Sequence, residues 1–361
     1  MADLKTVICG MEFPNPVMTA AGPGAKDYDL CRQAAEGGAG GIVTKTISAQ
    51  AADVPRPCMS VTNSGFLNTE KWSEHSPEHW VEHEYPGIKK LGLPVIIGIG
   101  YTKEQIEKVA PMIKPFADAV EMSVHYVGTS MDPMLDALRA AKKALDVPVF
   151  MKMSPHTDIT EIARACEKNG ADGLVMINSV GPCMGIDLET GLPLMGGDTG
   201  YGWLTGRAIR PIAIRTIYEV SRAVTIPIIG VGGVADGRDA AEMLMAGAVA
   251  VQTCTEAILR GPKIYGKIAR QLSDFLDSHG YKSVGEIVGL TAKKLHERKV
   301  RDHVVLPVCD TARCTKCGQC RTSCVYEAIT INEVLTIDAE KCFGCGLCVT
   351  RCKPGAMRIQ Y

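Results

Sequence analysis

The chain has 361 residues, of which 46% are hydrophobic, and its 39 basic and 40 acidic residues leave a formal net charge of −1. This length allows two or three domains of ~100–200 residues, or one large barrel with a small module. The balanced charge argues against partners such as nucleic acid or an anionic membrane, and no apolar run has the about 18 residues of a transmembrane helix. The N-terminus lacks a secretory signal pattern, so we expect a cytoplasmic protein.

Eight short apolar runs typical of strands follow one another along the chain, and helical patterns separate most of them. This alternation predicts an α/β fold with a parallel sheet covered by helices, and eight units in about 250 residues match the (β/α)8, or TIM, barrel. A doubly wound open sheet is the alternative, but no Gly-x-Gly-x-x-Gly follows the first run. The runs are residues 16–22, 41–46, 94–100, 119–124, 148–153, 173–178, 227–231 and 249–253.

Two long insertions follow the second and sixth predicted strands, at residues 53–85 and 180–206. Barrel enzymes build their active sites from the loops at the carboxyl ends of the strands, so we expect these insertions to border the site. Their aromatic residues either stack on a substrate or only pack the loops. These residues are Trp72, Trp80, Tyr201 and Trp203.

Glycine-rich or small-residue turns follow the last two predicted strands, at residues 230–233 and 253–255. Backbone amides in such turns, with a helix N-terminus behind them, bind anions, and barrels often hold phosphate in these two loops. The same glycines would also suit a tight turn without a ligand. The pattern favours a phosphate-bearing cofactor.

Eight of the 15 cysteines form two copies of the spacing Cys-x2-Cys-x2-Cys-x3-Cys near the C-terminus. This is the spacing of bacterial ferredoxins with two [4Fe–4S] clusters, in which the fourth cysteine of each motif serves the other cluster. Structural zinc, the alternative, gives no reason for a third cysteine in each motif. We therefore predict one cluster on Cys314, Cys317, Cys320 and Cys352, and a second on Cys342, Cys345, Cys348 and Cys324.

These patterns predict the domain order: a barrel over residues 1–278, a connector over residues 279–306, and a small α+β module of the bacterial ferredoxin type over residues 307–361. Iron–sulfur clusters pass single electrons and have no substrate chemistry of their own. Beside a phosphate site in the barrel, a flavin is the simplest converter between single electrons and two-electron chemistry.

The barrel resembles the dihydroorotate and dihydropyrimidine dehydrogenase family, whose barrels bind FMN. The segments that carry the resemblance are NPVMTAAGP, GIVTKTIS, NSGFLN, ADAVEMS, VFMKMSP, INSVG, LTGRAIRPIA, IIGVGGV and VQTCTEAI. Each segment is weak alone, but together they are specific, and the resemblance covers nearly the whole chain, including a two-cluster ferredoxin module at the C-terminus. The resemblance implies a homodimer or larger complex, with an electron donor or acceptor protein such as a ferredoxin or an FAD/NAD(P)H subunit.

The resemblance also implies roles for individual residues. Ala20, Ala21 and Gly22 would line FMN, and Lys45 and Thr46 would lie near its isoalloxazine ring. Lys152 would lie near N1 and C2 and stabilise the anionic reduced flavin. Thr205 and Gly206 would contact the ribityl-phosphate region, and Gly232, Gly233, Cys254 and Thr255 would hold the phosphate. The substrate would contact Asn63, Asn68, Ser123, Asn178 and Ser179, with Asn178 also over the flavin ring.

Physical chemistry supports a special role for Lys152 independently of the resemblance. It lies inside the apolar run VFMKM, where an ammonium is costly to bury unless it meets an anion. The alternative is a lysine at a strand end whose amine reaches solvent. Lys45 in GIVTKT follows the same logic.

The sequence departs from the family where the fourth strand ends. The family has Asn-Leu/Val-Ser-Cys-Pro there, with cysteine as the catalytic acid or base, and this chain has Ser123, Val124, His125, Tyr126 and Val127. We predict that Tyr126, at the cysteine position, donates the proton. The alternatives are His125, which would alternate to another side, or neither residue, with water or another loop residue as the donor.

The change at Ser123 argues against a pyrimidine substrate. Loss of the family's asparagine removes one partner for a pyrimidine's paired amides, and such a loss weakens discrimination strongly. We therefore expect a different conjugated ring or an enone-like compound.

Three histidines, His75, His79 and His83, recur every four residues, and a helix would place them on one face. A polar helix face is favoured over a metal site, because no His-Glu-x-x-His motif is present.

Together these observations predict an oxidoreductase that acts on CH–CH bonds and depends on FMN and two [4Fe–4S] clusters. Electrons would pass from the clusters to FMN and leave as hydride from flavin N5 to an activated C=C bond. One alternative is a dehydrogenase of the dihydropyrimidine or dihydroorotate type that passes electrons outward. Another is an electron-transfer subunit of a larger complex.

Overall fold

The computed structural model describes residues 1–123, 130–297 and 303–359, which fall into two compact units, Met1–Leu295 and His296–Tyr361. The division lies inside the stretch 279–306 that the sequence assigns to a connector. The first part of that stretch folds with the first unit, because Val284 and Ile287 are buried in its core. Within the described residues, no helix combines the length and the apolar character needed to span a bilayer.

Eight parallel strands form the central sheet of the first unit. Their order in the sheet is β3 (Val17–Met18), β14 (Ala250–Gln252), β13 (Ile228–Val231), β10 (Gly173–Met176), β9 (Val149–Met153), β8 (Ala119–Ser123), β7 (Val95–Ile99) and β4 (Ile42–Val43). A parallel bridge between Met18 and Gly41 joins the two ends of this order, so the sheet closes into a barrel. Each of the eight predicted runs contains one of these strands, which confirms the predicted barrel. The other strands that the structure describes in the first unit are β1 (Thr6–Ile8), β2 (Met11–Phe13), β5 (Met59–Val61), β6 (Phe66–Asn68), β11 (Val180–Cys183) and β12 (Gly202–Thr205).

Amphipathic helices follow the barrel strands and bury their apolar faces against them. Side-chain caps begin several of these helices: Asp27, Thr102 and Asp236 each accept a backbone N–H of the first turn. The helices of the first unit are α1 (Tyr28–Glu36), α2 (Pro77–His79), α3 (Tyr85–Ile88), α4 (Lys103–Ile113), α5 (Asp132–Ala144), α6 (Ile159–Lys168), α7 (Arg210–Ser221), α8 (Gly237–Ala246), α9 (Thr255–Arg260), α10 (Ile264–Ser278) and α11 (Leu290–Glu297, which ends just past the division). Shorter turns of 3-10 helix are Pro23–Ala25, Lys89–Leu91, Gly206–Ile209 and Val284–Ile287, and a π-helical turn is Trp80–Glu84.

The strand residues alternate between an inner and an outer core. Val149, Met151 and Met153 of β9 face the helices, whereas Phe150 belongs to the cluster that fills the barrel. Ile8 and Phe13 of the β1–β2 hairpin join the inner cluster. Because Lys152 shares the parity of Phe150, this alternation directs it into the barrel.

The two insertions, which the sequence treats separately, pair into one antiparallel sheet of order β11-β12-β6-β5. The central pairing joins the insertions through Trp203 opposite Asn68 and Thr205 opposite Phe66. This pairing holds β6, which follows barrel strand β4 in the chain, next to β12, which follows β10.

The second unit repeats one small motif. In each half, a glycine with positive φ precedes a short helix, Gly318 (φ +78°) before α12 (Gln319–Thr322) and Gly346 (φ +79°) before α13 (Leu347–Arg351). Positive φ lets the chain turn tightly between two cysteines. Two antiparallel pairs complete the unit: β16 (Ile329–Ile331) pairs with β17 (Leu335–Ile337) as a hairpin, and β15 (Val308–Cys309) pairs with the distant β18 (Met357–Arg358).

Candidate active site

A cavity of about 890 Å³ opens at the carboxyl ends of the barrel strands, under the sheet formed by the two insertions. Every barrel strand or the loop after it contributes to its wall, as expected for an active site in this fold. Most of the residues predicted for FMN and substrate meet in this wall. They are Ala20, Ala21, Gly22, Thr46, Asn68, Ser123, Lys152, Asn178, Ser179, Thr205, Gly206, Gly232, Gly233, Cys254 and Thr255.

Four predicted residues are not among these. Asn63 lies on the exposed turn between β5 and β6, and the buried side chain of Lys45 points to two carboxylates instead of lining the cavity. Tyr126 and His125 lie in residues 124–129, outside the described residues.

One end of the cavity is built from closely packed backbone. Gly232 (φ +120°) and Gly233 (φ +87°) turn after β13, and a Cβ atom on Gly233 would lie 2.8 Å from the carbonyl oxygen of Gly206. The hydroxyl oxygens of Thr205 and Thr255 are 2.8 Å apart. Both glycines have positive φ, and neighbouring protein atoms leave no room for a side chain at Gly233, so backbone borders this end of the cavity. Such a turn fits the phosphate end of FMN.

An ion pair lies inside the barrel, next to this wall. The Lys152 ammonium is 3.0 Å from Oε1 of Glu121, and Gln252 donates from Nε2 to Oε2 of Glu121 over 2.5 Å. Lys152 and Gln252 line the cavity, while Glu121 is 0% exposed. The anion that the buried lysine requires is therefore a carboxylate of this chain, Glu121, which is not among the predicted site residues.

A second buried lysine has two carboxylate partners. The Lys45 ammonium lies 2.6 Å from Oε2 of Glu70 and 3.0 Å from Oε2 of Glu74. Glu70 lines the cavity, so this network reaches the site without Lys45 doing so. Burial raises the pKa of Glu74, but the hydrogen bond and charge of Lys45 outweigh it, and the net shift is downward.

The two asparagines of the wall are partly engaged by the protein. Asn68 donates from Nδ2 to the carbonyl of Trp203 (3.2 Å) and accepts the backbone N–H of Glu70 (3.3 Å). Asn178 accepts the backbone N–H of Ser179 (2.8 Å), and its Nδ2 is 3.5 Å from the hydroxyl of Ser123. Both carboxamide oxygens thus already accept a backbone hydrogen bond.

Aromatic rings form the outer wall of the cavity. Trp72 and Tyr101 lie with ring centroids 5.1 Å apart, and burial raises the pKa of the Tyr101 hydroxyl. Trp203 and Tyr201 complete this wall. Trp80 is different: it is fully buried and donates from Nε1 to the Ser73 hydroxyl over 2.8 Å, so it packs the insertion.

The three histidines stack along one face near the start of the first insertion's helix. The ring centroids of His75 and His79 are 4.1 Å apart, those of His79 and His83 are 4.9 Å apart, and His79 Nε2 is 2.9 Å from the Glu84 carboxylate. Throughout the described residues, no three His, Cys, Asp or Glu side chains converge as the ligands of a single metal ion would. The polar character of this face rests on the pairing of His79 with Glu84.

The cysteines of the second unit gather in two groups that cross the motifs. One pocket is lined by all four cysteines predicted for the second cluster, Cys324, Cys342, Cys345 and Cys348. At the other group, burial together with nearby Cys314, Cys320 and Cys352 raises the pKa of Cys309 to about 11. Cys309 therefore lies near Cys314 and Cys320 of the first motif and near Cys352 of the second. This arrangement of thiols fits two cubane clusters, which the motif spacing implies.

The fold and these sites define a class of protein: an oxidoreductase whose TIM barrel binds FMN and whose second unit carries iron–sulfur clusters. The family model described as dihydroorotate dehydrogenase matches residues 3–276, and the model described as a 4Fe-4S dicluster domain matches residues 313–356. The chain therefore belongs to the dihydroorotate dehydrogenase family and has an iron–sulfur dicluster domain after the barrel. These matches confirm the predicted fold class, cofactors and general enzyme class.

Relatives with assigned names fall into two groups. The chain is 38% identical over 302 residues to the catalytic subunit of dihydroorotate dehydrogenase B (NAD(+)) from Methanothermobacter thermautotrophicus, covering 80% of this chain and 98% of the relative. The corresponding subunit from Methanosarcina mazei is 37% identical over 301 residues, covering 80% and 95%. The NAD-dependent dihydropyrimidine dehydrogenase subunit PreA from Escherichia coli is 31% identical over 351 residues, covering 89% and 85%.

Proposed function

We propose that this chain reduces an activated C=C bond in a flat, conjugated ring, with electrons that enter through the clusters. The observation that carries the proposal is Ser123, a short hydroxyl in the cavity wall at the end of β8, where the family pattern has an asparagine. A site that lacks this amide loses a partner for a pyrimidine's paired amides. The neighbouring wall of Trp72, Tyr101 and Trp203 suits the faces of a conjugated ring.

The chemistry needs a cofactor, an orienting wall and a proton donor. Bound FMN supplies the exchange between single electrons and a hydride at N5. Asn178 and Ser179 would orient the substrate, and Tyr126 would deliver the proton that completes the reduction, with His125 as the alternative donor. Lys152 would lie beside the flavin ring. Clusters of low potential favour reduction of the substrate over its oxidation.

The opposite direction is the second candidate. The relatives named above are dehydrogenases, and one group is named for NAD(+). In this case substrate electrons would leave through the clusters to a ferredoxin or an FAD/NAD(P)H subunit, and the chain would work as a homodimer or larger complex. An electron-transfer subunit without substrate chemistry is the candidate of another class, and turnover by the isolated chain would exclude it.

The first experiment is anaerobic purification followed by measurement of released flavin and iron, with FMN and about eight iron atoms per chain expected. The reduced protein is then mixed with uracil, orotate, a cyclic enone and an aryl-substituted enone, and oxidation of the flavin is followed by stopped flow. Rapid oxidation by an enone but not by uracil or orotate supports the proposal. Rapid oxidation by uracil or orotate refutes the substrate class.

A matched variant tests whether Ser123 determines the substrate class. Ser123→Asn restores the amide of the family pattern, and we expect it to increase the rate of flavin oxidation by uracil relative to the enone. Ser179→Ala is the comparison, because it changes a hydroxyl of the same wall without adding an amide. If Ser123→Asn leaves the uracil-to-enone ratio unchanged, Ser123 does not determine the substrate class.

A further inference from the structure

Glu121 is a carboxylate in the barrel interior that the family-derived roles leave unexplained. On β8, Val120 and Met122 face the helices and Ala119 belongs to the inner cluster, so Glu121 points inward. Its side chain is 0% exposed. A carboxylate buried this completely is costly unless it is paired and hydrogen-bonded.

Its partners come from two other strands. Lys152 on β9 is 3.0 Å from Oε1, and Gln252 on β14 donates to Oε2 over 2.5 Å. In the sheet order, β14 and β8 are separated by β13, β10 and β9, so this hydrogen bond crosses the barrel interior. Gln252 is itself 0% exposed and fixes the carboxylate from the far side.

The contact between Glu121 and Lys152 is an ion pair without a well-aligned hydrogen bond. Within the described part of the chain, Oε1 of Glu121 has no hydrogen-bond donor with acceptable angles, although the ammonium is 3.0 Å away. The attraction of opposite charges does not depend on such angles, and it is strong where water is excluded. Glu121 therefore compensates the charge of Lys152 without restricting the direction of its N–H groups, which remain available to the cavity that Lys152 lines.

We propose that Glu121 is a positioning residue that holds the Lys152 ammonium at the cavity wall and cancels its charge, thereby keeping the reduction potential of bound FMN low. An uncompensated ammonium beside the flavin would favour the more negative, reduced state and raise the potential. The pair is neutral overall, so the flavin meets donors from Lys152 without a full positive charge. The inference requires bound FMN and holds for either direction of the reaction.

The test measures the midpoint potential of FMN in the full chain with its clusters, by anaerobic titration against reference dyes. Glu121→Gln keeps the shape of the side chain and removes its charge. We expect a more positive potential, by at least tenfold in the equilibrium between oxidised and reduced flavin, or about 30 mV for a two-electron couple. Asp172→Asn is the charge-matched control, since Asp172 pairs with Lys142 before β10, at the other end of the barrel.

A double variant makes the result independent of whether Glu121→Gln folds. Lys152→Met alone should lower the potential, and Lys152→Met combined with Glu121→Gln should return it toward the wild-type value, because both the wild-type pair and the double variant are neutral. Replacing a buried ion pair by neutral residues is usually tolerated. If the double variant has the same potential as Lys152→Met, or if Glu121→Gln matches the Asp172→Asn control, Glu121 has only a structural role and the proposal is overturned.

Discussion

Replacing Lys45 by methionine removes the ammonium between Glu70 and Glu74 while keeping a side chain of similar length. The lysine side chain is 2% exposed, and those of Glu70 and Glu74 are 10% and 40% exposed. Breaking a buried ion pair by removing one partner costs about 3–5 kcal/mol, because the other charge stays buried. The pair with Glu74 adds little, since interactions of exposed charges are worth about 0–1 kcal/mol.

We therefore expect Lys45→Met to lower the free energy of unfolding by about 3 kcal/mol, the lower end of the range, because Glu70 borders the cavity. For a unit of this size that corresponds to a fall in melting temperature of about 6–12 °C. The assay is an anaerobic thermal melt followed by circular dichroism. Adding Glu70→Gln to Lys45→Met should recover at least half of the loss, because the carboxylate left behind is then neutral.

Lys143→Met is the matched control, because Lys143 is exposed on α5 and surface changes usually stay within about 0.5 kcal/mol. The reasoning is refuted if Lys45→Met melts within about 2 °C of this control. It is also refuted if the double variant with Glu70→Gln is less stable than Lys45→Met alone. The loss of stability in Lys45→Met would then not come from the unpaired charge of Glu70.

Three further predictions concern the cofactors and pH. Gly233→Ala should weaken FMN binding at least tenfold by flavin release, because its φ of +87° and the 2.8 Å approach to the Gly206 carbonyl exclude a Cβ atom. Cys324→Ser and Cys352→Ser should each leave about four iron atoms, and different cluster signals should persist in their EPR spectra. The pKa of Glu74 is lowered from its ordinary value of 4.5 because the ionised carboxylate pairs with Lys45. This pairing therefore stabilises the fold at pH values above 4.5. This contribution is lost as pH falls below 4.5, so the melting temperatures of the wild type and Glu74→Gln should converge there.

Local patterns predicted the barrel and the cluster motifs because both depend on short-range order. Each barrel strand is an apolar run bounded by turns, and the cysteine spacing is a contiguous motif, so neither needs knowledge of distant contacts. The pairing of β6 with β12 could not be found in this way. It joins residues about 135 positions apart, such as Asn68 and Trp203, and only the closed barrel brings them together.

The partners of buried charges are also hard to predict from local sequence patterns. An ammonium in an apolar strand predicts an anion, and both Lys152 and Lys45 have a carboxylate partner. This logic did not identify the anion, which for Lys152 is Glu121 and for Lys45 is Glu70. Glu121 carried the same signal as Lys152, a charge inside the apolar run AVEMS, and reading both runs together would have suggested the pair.

The engagement of the wall asparagines bears on how this site selects a substrate. The carboxamide oxygens of Asn68 and Asn178 accept backbone hydrogen bonds, and Ser123 offers a single hydroxyl. If the proposed function holds, recognition would depend on the fit of a ring against aromatic side chains more than on paired hydrogen bonds. Fit in such a pocket separates substrates that differ by one methylene by only about 1–3 kcal/mol.

We therefore expect broad specificity among ring substrates. In a series of cyclic enones that differ by one methyl group, kcat/KM should vary by roughly 10–200-fold between neighbours. A preference of about 10⁴-fold for one member would contradict this reasoning, because a discrimination of that size requires buried polar groups that pair with that substrate alone. Ser123→Asn should lower kcat/KM for most of these enones, because most of them have no group that pairs with the added amide.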